Sequence, residues 1–486
     1  MSRFPHPVYA ETILGPQFRE SQKWLFDPML DASEAHLLML AECHLVPCDQ
    51  AARVWHALSE IRRGGPDAFS YAPDVEDLFF QMEARITEIA GEEAGGNLHL
   101  ARSRNDLDAA MARLTIRRLL LETHQALESL RATFLRLIGE HLYTLMPGHT
   151  HTQPAQPTTL AHYLASTAQA LERDAGRIEA AFGCTNRGPL GAAALTTTGF
   201  SIDRELTARL LGFDGVVINS YDAIGGVDYA LESMSALTTC LLGLSRLVHD
   251  LLQWATREFG VLSIDPSFLQ ISSIMPQKKN PVVLEHLRAR IGWVVGGAQT
   301  TAMLVHSAAL GDTVDVEDEL YAPLFRTFED ALGVLRLSDA ALGTCRFDVE
   351  KLAARAADGF TTATELADTL VRRAGLSFRE AHRVASTVVS LCRADPGAVD
   401  PELVAEAARL ALGRPVRLSS EDVRAALDPW AFVEQRVIPG GPAPSAMRAH
   451  LEQMQQSLQA DIAWREARQE QIAAANAERH RRGAAL

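Results

Sequence analysis

The chain has 486 residues, 47% hydrophobic and 22% charged, enough for about three domains or one large elongated one. That excludes a disordered chain and a small stapled scaffold. With 46 Lys and Arg against 61 Asp and Glu, the formal charge is −15, which excludes a whole-protein nucleic-acid or anionic-membrane binder but leaves room for a local basic pocket. The six cysteines (Cys43, Cys48, Cys184, Cys240, Cys345, Cys392) form no C-x-x-C pair and read as reduced thiols. MSRFPHPVYAETILG at the N-terminus lacks the apolar run of a secretion signal, so a cytoplasmic protein is expected.

Long helical patterns dominate, and no internal repeat stands out. Residues up to about 101 read as shorter helices. Leu107, Met111 and Leu114, spaced i, i+4, i+7, start a pattern that continues through Leu127, Leu130, Phe134, Leu137 and Ile138 and predicts a helix over 106–143, stopped by Pro147-Gly148. Further helices are predicted from Pro157 to Gly183, from 227 to Gly260, and from Pro281 to about 310. The uncharged stretch Ile291–Gly311 is long enough to span a bilayer. Its Gln299, Thr300, Thr301, His306 and Ser307 favour a helix buried within protein instead. From about Phe360 shorter helices return, and Leu451–Glu478 reads as a polar amphipathic helix ending in a solvated, frayed RHRRGAAL tail. Helices this long predict an all-α protein with a long central helical bundle (102–353) between an N-terminal (1–101) and a C-terminal (354–486) helical domain.

Three polar islands interrupt the apolar pattern. The first, His99-Leu-Ala-Arg-Ser-Arg-Asn-Asp106, reads by itself as a helix start capped by Asn105 or Asp106. The second, Pro147-Gly-His-Thr-His-Thr-Gln-Pro-Ala-Gln-Pro157, reads as a loop opening into a helix; its His149-x-His151 pair lacks the further ligands of a zinc site. The third, Gln270-Ile-Ser-Ser-Ile-Met-Pro-Gln-Lys-Lys-Asn-Pro281, is either a plain surface turn or an anion site. It leads into the most apolar helix, so its residues are expected near the bundle interior, where lysine, amide and free backbone N–H groups suit a carboxylate or phosphate.

SSIMPQKKNP resembles the G-S-S-x-M-P-x-K-x-N signature of the fumarase/aspartase superfamily, and within it argininosuccinate lyase. The resemblance extends to RSRND (102–106), THTQPAQP (150–157), GPLGAAAL with IDRELTARLLGF (188–213) and NSYDAIGG (219–226). It implies the three-domain fold of that superfamily, no metal or organic cofactor, and a homotetramer with active sites shared among three subunits. The implied chemistry is elimination of an amine from an N-substituted L-aspartate to give fumarate. The proton lost is weakly acidic, so cationic and hydrogen-bonding groups must meet the charge that develops on the adjacent carboxylate. By resemblance Ser272 is the base, activated by neighbouring groups, and Lys278 and Asn280 hold that carboxylate, with Ser273 and Met275 in the same loop. His151, oriented by Glu285, helps protonate the leaving nitrogen. Ser103, Asn105 and Thr150 match succinyl-carboxylate contacts, Arg104 and Gln153 lie beside them, and Ser33 matches an N-terminal contact.

Departures cluster on the amine side. Phe79 stands where a histidine usually follows the Glu76-Asp77-Leu78 motif, Gln270-Ile271 replaces Thr-Gly, and Gly225-Gly226-Val227 replaces Ser-Asp-Arg. The Tyr, Gln and Lys that grip arginine align to Thr313, Asp318 and Tyr321. Losing a lysine and gaining an aspartate turns a carboxylate-binding patch into one that repels carboxylates or attracts ammonium. The amine is therefore expected to differ from arginine, as in an ethylenediaminedisuccinate-type aminopolycarboxylate. Argininosuccinate lyase itself and a crystallin-like structural homologue are the alternatives.

Overall fold

Ser103 to Asp106 starts a 37-residue helix in the computed structural model, which describes residues 4–73, 75–392 and 396–486. Ser103 is the N-cap, with extended backbone. Its N–H donates to Asp106 Oδ1 at 2.9 Å while its own hydroxyl receives helix N–H groups, a capping box. The cap thus lies ahead of the expected Asn105 or Asp106, and the helix runs Arg104–Glu140 rather than 106–143.

In chain order the main elements are α1 (Gly15–Trp24), α2 (Phe26–Glu42), α3 (Cys48–Gly64), α4 (Leu78–Ala90) and α5 (Arg104–Glu140). A hairpin follows, β1 (Leu145–Thr150) and β2 (Gln153–Thr159), then α6 (Leu160–Thr185), α7 (Asp228–Trp254), α8 (Val282–Val305) and α9 (Asp318–Thr344). The C-terminal part holds α10 (Ala363–Ala374), α11 (Phe378–Leu391), α12 (Pro401–Leu412), α13 (Ser420–Leu427) and the 40-residue α14 (Pro444–Gly483).

Helices α5 to α9 close a ring in which each packs on the next and α9 returns to α5. The predicted stripe of α5 is its inner face: Leu107, Leu127, Leu130, Phe134 and Ile138 are wholly buried. Each such side chain contributes roughly 1.5–3 kcal/mol of burial. A separate apolar core, with Leu366, Leu370, Val384, Val388 and Val404, holds α10 to α13 together.

Two expectations fail here. The second island is a β-hairpin, not a loop; its prolines hide the period-2 signal and are tolerated because a two-stranded ladder has only edges. The basic tail is not frayed. Helix α14 continues to Gly483 and lies along α5, α6 and α2, and Arg479 is only 1% exposed. Its guanidinium donates to Glu34 (3.0 Å), Asp31 (2.6 Å) and the Leu210 carbonyl (3.1 Å).

No described helix is long and apolar enough to cross a membrane. In one protomer the uncharged stretch of α8 is buried on one face only: Ile291 and Val294 are inside, whereas Trp293 and Met303 are 62% and 68% exposed.

His36 on α2 is wholly buried, and its Nε2–H meets the Leu100 carbonyl at 2.9 Å. Burial, assisted by the Arg102 charge, lowers its pKa from 6.5 to about 3. Between those values the folded protein binds fewer protons than the unfolded chain. The stabilisation is therefore complete above pH 6.5 and is lost as pH falls toward 3, amounting to about 2 kcal/mol at pH 5. Denaturant titrations at pH 7 and pH 5 should show that loss, and His36→Gln should flatten the slope between them.

Candidate active site

The first island is tied to the 188–195 segment through its acid. Asp106, fully buried, accepts from the backbone N–H groups of Gly191 (2.8 Å) and Ala193 (3.0 Å) through Oδ2. Asn105 Nδ2 donates to the Ala194 carbonyl at 3.3 Å. Gly191 has φ +84°, and a Cβ there would stand 2.6 Å from Arg204 Cγ, so this turn admits only glycine. Ser103 Oγ–H donates to Asn105 Oδ1 at 2.9 Å, and both side chains are half-buried at this turn.

Two other candidates are engaged internally. Ser33 is buried, and its Oγ accepts from Arg102 Nη1 at 3.1 Å. Arg104 does not face solvent as a free anion-binding group: it pairs with Asp77 at 2.9 Å, its Nε lies 3.9 Å from Asp108 Oδ2, and it sits 5.7 Å from the ring of Phe79. The aromatic ring that replaces the expected histidine thus packs against the guanidinium that Asp77 neutralises.

Beside Arg104 opens a cavity of about 280 Å³ lined by Asp77, Asp108, Asp318 and Tyr321. Burial raises the pKa of Asp108 to about 6. Glu317 rises further, to about 11, through burial and then the charge of Asp108, to which its carboxyl is hydrogen-bonded. Asp318 is also raised, by burial and by the neighbouring acids against the pull of Arg104. Tyr321 is buried and stacked on Phe325, with centroids 5.7 Å apart, and Thr313 Oγ1 is buried without a hydrogen bond. Sequence reasoning does not mark Asp77, Asp108 or Glu317 as site residues. The readable signal for Asp108 was an acid inside the apolar run Leu107–Leu114; nothing local marks Glu317.

The second island presents His151 at the tip of the hairpin. Thr150 pairs with Gln153, leaving His151 and Thr152 as a two-residue turn with φ 51° and 61°, both exposed. The third island is a loop closed by a short ladder in which Gln270 faces Asn280 and Ile271 faces Lys279. Ser272 Oγ accepts from the Met275 N–H at 3.1 Å. Ser273, Met275 and Lys278 are exposed, and so is Glu285 on the first turn of α8. The expected position near the bundle interior is therefore wrong for a single protomer: only the helix beyond the loop is buried.

Among the described residues no hydrogen bond or ion pair joins these islands. The geometry explains why. The first lies at the N-terminal end of α5 and the hairpin beyond its C-terminal end, about 55 Å away along the helix axis. The segment that follows α8 lies beside the first island: Tyr221 Oη donates to the Leu310 carbonyl at 3.2 Å, a Cβ on Gly225 would stand 2.7 Å from Gly311 N, and Asn105 lines one cavity with Gly226 and Asp312. The Ser272 loop precedes α8, whose length places the loop about 36 Å from that end.

Residues 19–296 match the profile of the lyase family and residues 360–434 that of the argininosuccinate lyase C-terminal region. Argininosuccinate lyase 1 of Shouchella clausii is 36% identical over 460 residues, 94% of this chain and 92% of that protein. Argininosuccinate lyase of Methanoculleus marisnigri is 38% identical over 450 residues, covering 92% and 90%. Among solved structures, EDDS lyase in complex with formate superposes with a TM-score of 0.87 at 29% identity, covering 99% of this chain and 98% of that one. A class II fumarase from Schistosoma mansoni shares the fold, with a TM-score of 0.69, 17% identity, and coverage of 87% and 92%. The chain belongs to the argininosuccinate lyase family of the fumarase/aspartase superfamily and is a fumarate-releasing carbon–nitrogen lyase.

Proposed function

We propose that the substrate is an N-substituted L-aspartate whose amine is not arginine, of the kind exemplified by ethylenediaminedisuccinate. The observation that carries this reading is the acidic lining of the cavity beside Arg104, where Asp77, Asp108 and Asp318 face a single guanidinium. The α-carboxylate of an arginine moiety would be repelled there, whereas an ammonium group would be held. The likeness to EDDS lyase over nearly the whole chain supports it.

In this reading Ser272 takes the proton next to the carboxylate, Lys278 and Asn280 meet the charge that forms, and His151, backed by Glu285, delivers a proton to the departing nitrogen. Ser103, Asn105 and Thr150 hold the succinyl carboxylates. The separations of about 55 Å and 36 Å along α5 and α8 forbid one protomer from applying all these groups to one molecule. In this reading the site is shared among copies, in the homotetramer that the resemblance implies. The exposed Trp293 and Met303 of α8 offer apolar surface for that association.

The test follows fumarate by its ultraviolet absorbance, first with argininosuccinate and then with fumarate and a panel of amines. Fumarate consumption with diamines exceeding turnover of argininosuccinate is the expected result. An argininosuccinate rate equal to or above every diamine rate would overturn the reading. It would favour argininosuccinate lyase itself, the activity named for the curated relatives at 36–38% identity.

A further inference from the structure

A second cavity, of about 720 Å³, opens between the α1–α2 corner, α5 and the last turns of α14. Its volume falls in the range of roughly 300–1,000 Å³ usual for small-molecule sites. Trp24, Phe26, Leu114, Leu121 and Leu211 give it buried apolar walls, and Ile472 is half-buried beside them. None of the three polar islands contributes to it; Arg117, which does, lies about 18 Å along α5 from Asn105.

Arg117 is 5% exposed. Its guanidinium donates to Asn186 Oδ1 and to the Leu211 carbonyl, both at 2.9 Å, and no carboxylate among the described residues is ion-paired with it. Arg479 donates to the adjacent Leu210 carbonyl at 3.1 Å, so two guanidiniums converge on neighbouring carbonyls. The acids nearby are engaged elsewhere. Asp31 and Glu34 hold Arg479 and Arg62, and Glu122 holds Arg118 at 2.6 Å. Asp27, 77% exposed, stands at the mouth, 3.7 Å from Arg62. Arg117 is therefore a buried cation without a counter-ion, which costs stability until an anion completes it. A second donor lines the same cavity: Asn476 Oδ1 accepts from Arg479 Nη1 at 2.8 Å, which leaves its Nδ2 without an acceptor among the described residues.

We infer that this cavity is a binding site, separate from the catalytic one, for a small monocarboxylate with an apolar body. The carboxylate meets Arg117 and the Asn476 amide, and the body lies against Leu114, Leu121 and Ile472. One unmatched guanidinium sets the ligand's charge at a single negative, and its planar fork suits a carboxylate. A more highly charged anion would meet Asp31 inside and Asp27 at the mouth. The inference is independent of which amine the enzyme releases.

The test measures, by isothermal titration calorimetry, the Kd values of 4-phenylbutyrate, 4-phenylbutyramide and acetate for the full-length protein, with saturating fumarate present to fill the catalytic site. The acid should bind at least about tenfold more tightly than its neutral amide, the scale of one hydrogen bond between charged groups. It should also bind at least about tenfold more tightly than acetate, which lacks the apolar body. Arg117→Met should bring the acid down to the amide. Should that variant fail to fold, Ala473→Trp replaces it: Ala473 is exposed on α14 and lines the cavity, so the indole should weaken 4-phenylbutyrate at least tenfold with Tm within a degree or two of wild type. Equal affinity for acid and amide, acetate binding as tightly as the long acid, or a preference that survives both variants would overturn the proposal. So would binding that disappears when fumarate is added, which would place the acid in the catalytic site, or no binding to wild type at all.

Discussion

Replacing Ser272 by alanine is expected to lower fumarate turnover by about a thousandfold or more while leaving the protein folded. Loss of a positioned proton-transfer group typically costs 10²–10⁴ in rate. The side chain contributes little to stability: it is partly exposed and its one hydrogen bond is from the Met275 N–H within the same loop. The measurement is kcat with the best amine found, beside a thermal melt. A melt within a degree or two of wild type, together with lost turnover, assigns the serine to chemistry. Turnover within tenfold of wild type would move the base elsewhere.

The largest stability effect is expected at the other end of the chain, from Arg479→Met. The guanidinium is buried between Glu34 and Asp31, and Glu34 is itself almost fully buried. Arg62 shares both acids, at 2.8 Å and 2.9 Å, so the carboxylates keep one partner. Removing one partner of such a buried set costs about 3–5 kcal/mol, and Arg62 holds the loss here toward the lower value. Denaturant midpoints should fall accordingly. Adding Glu34→Gln to Arg479→Met should recover part of the loss, because the uncompensated charge disappears. An effect below about 1 kcal/mol would show that the end of α14 adds nothing to the fold.

What the sequence conveyed depended on how local each signal was. The helices of the ring were legible because their stripes repeat every three or four residues, and the Leu107–Ile138 stripe is the buried face of α5. The N-cap was misplaced by a few residues because Ser103, Asn105 and Asp106 are all good caps; only the reciprocal bond between Ser103 and Asp106 decides among them. The hairpin stayed hidden because Pro147, Pro154 and Pro157 read as punctuation. The docked tail could not be read because Arg479 finds its acids some 445 residues earlier in the chain. The polar islands were legible as types of residue, but their separation was not: it follows from the lengths of α5 and α8 and the order in which the ring closes. Asp108 is legible as an acid inside an apolar run, but its surroundings of Arg104, Asp77 and Glu317 come from three separate stretches of the chain.

The turn that bears His151 has a consequence of its own. Two consecutive residues with side chains occupy the left-handed region, and one of them, Thr152, is β-branched. Each costs of the order of 1–2 kcal/mol that glycine would avoid. An Asn-Gly tip would make an easier hairpin and would lose the imidazole. The pairing of Thr150 with Gln153 and the steric narrowness of that backbone region leave the tip few settings, so the main chain that carries His151 is fixed while its exposed imidazole turns about its own side-chain bonds. The hairpin works as a short stiff arm: its tip stands at a set height and bearing above the protomer, and only a neighbouring surface built to the same dimensions can use it.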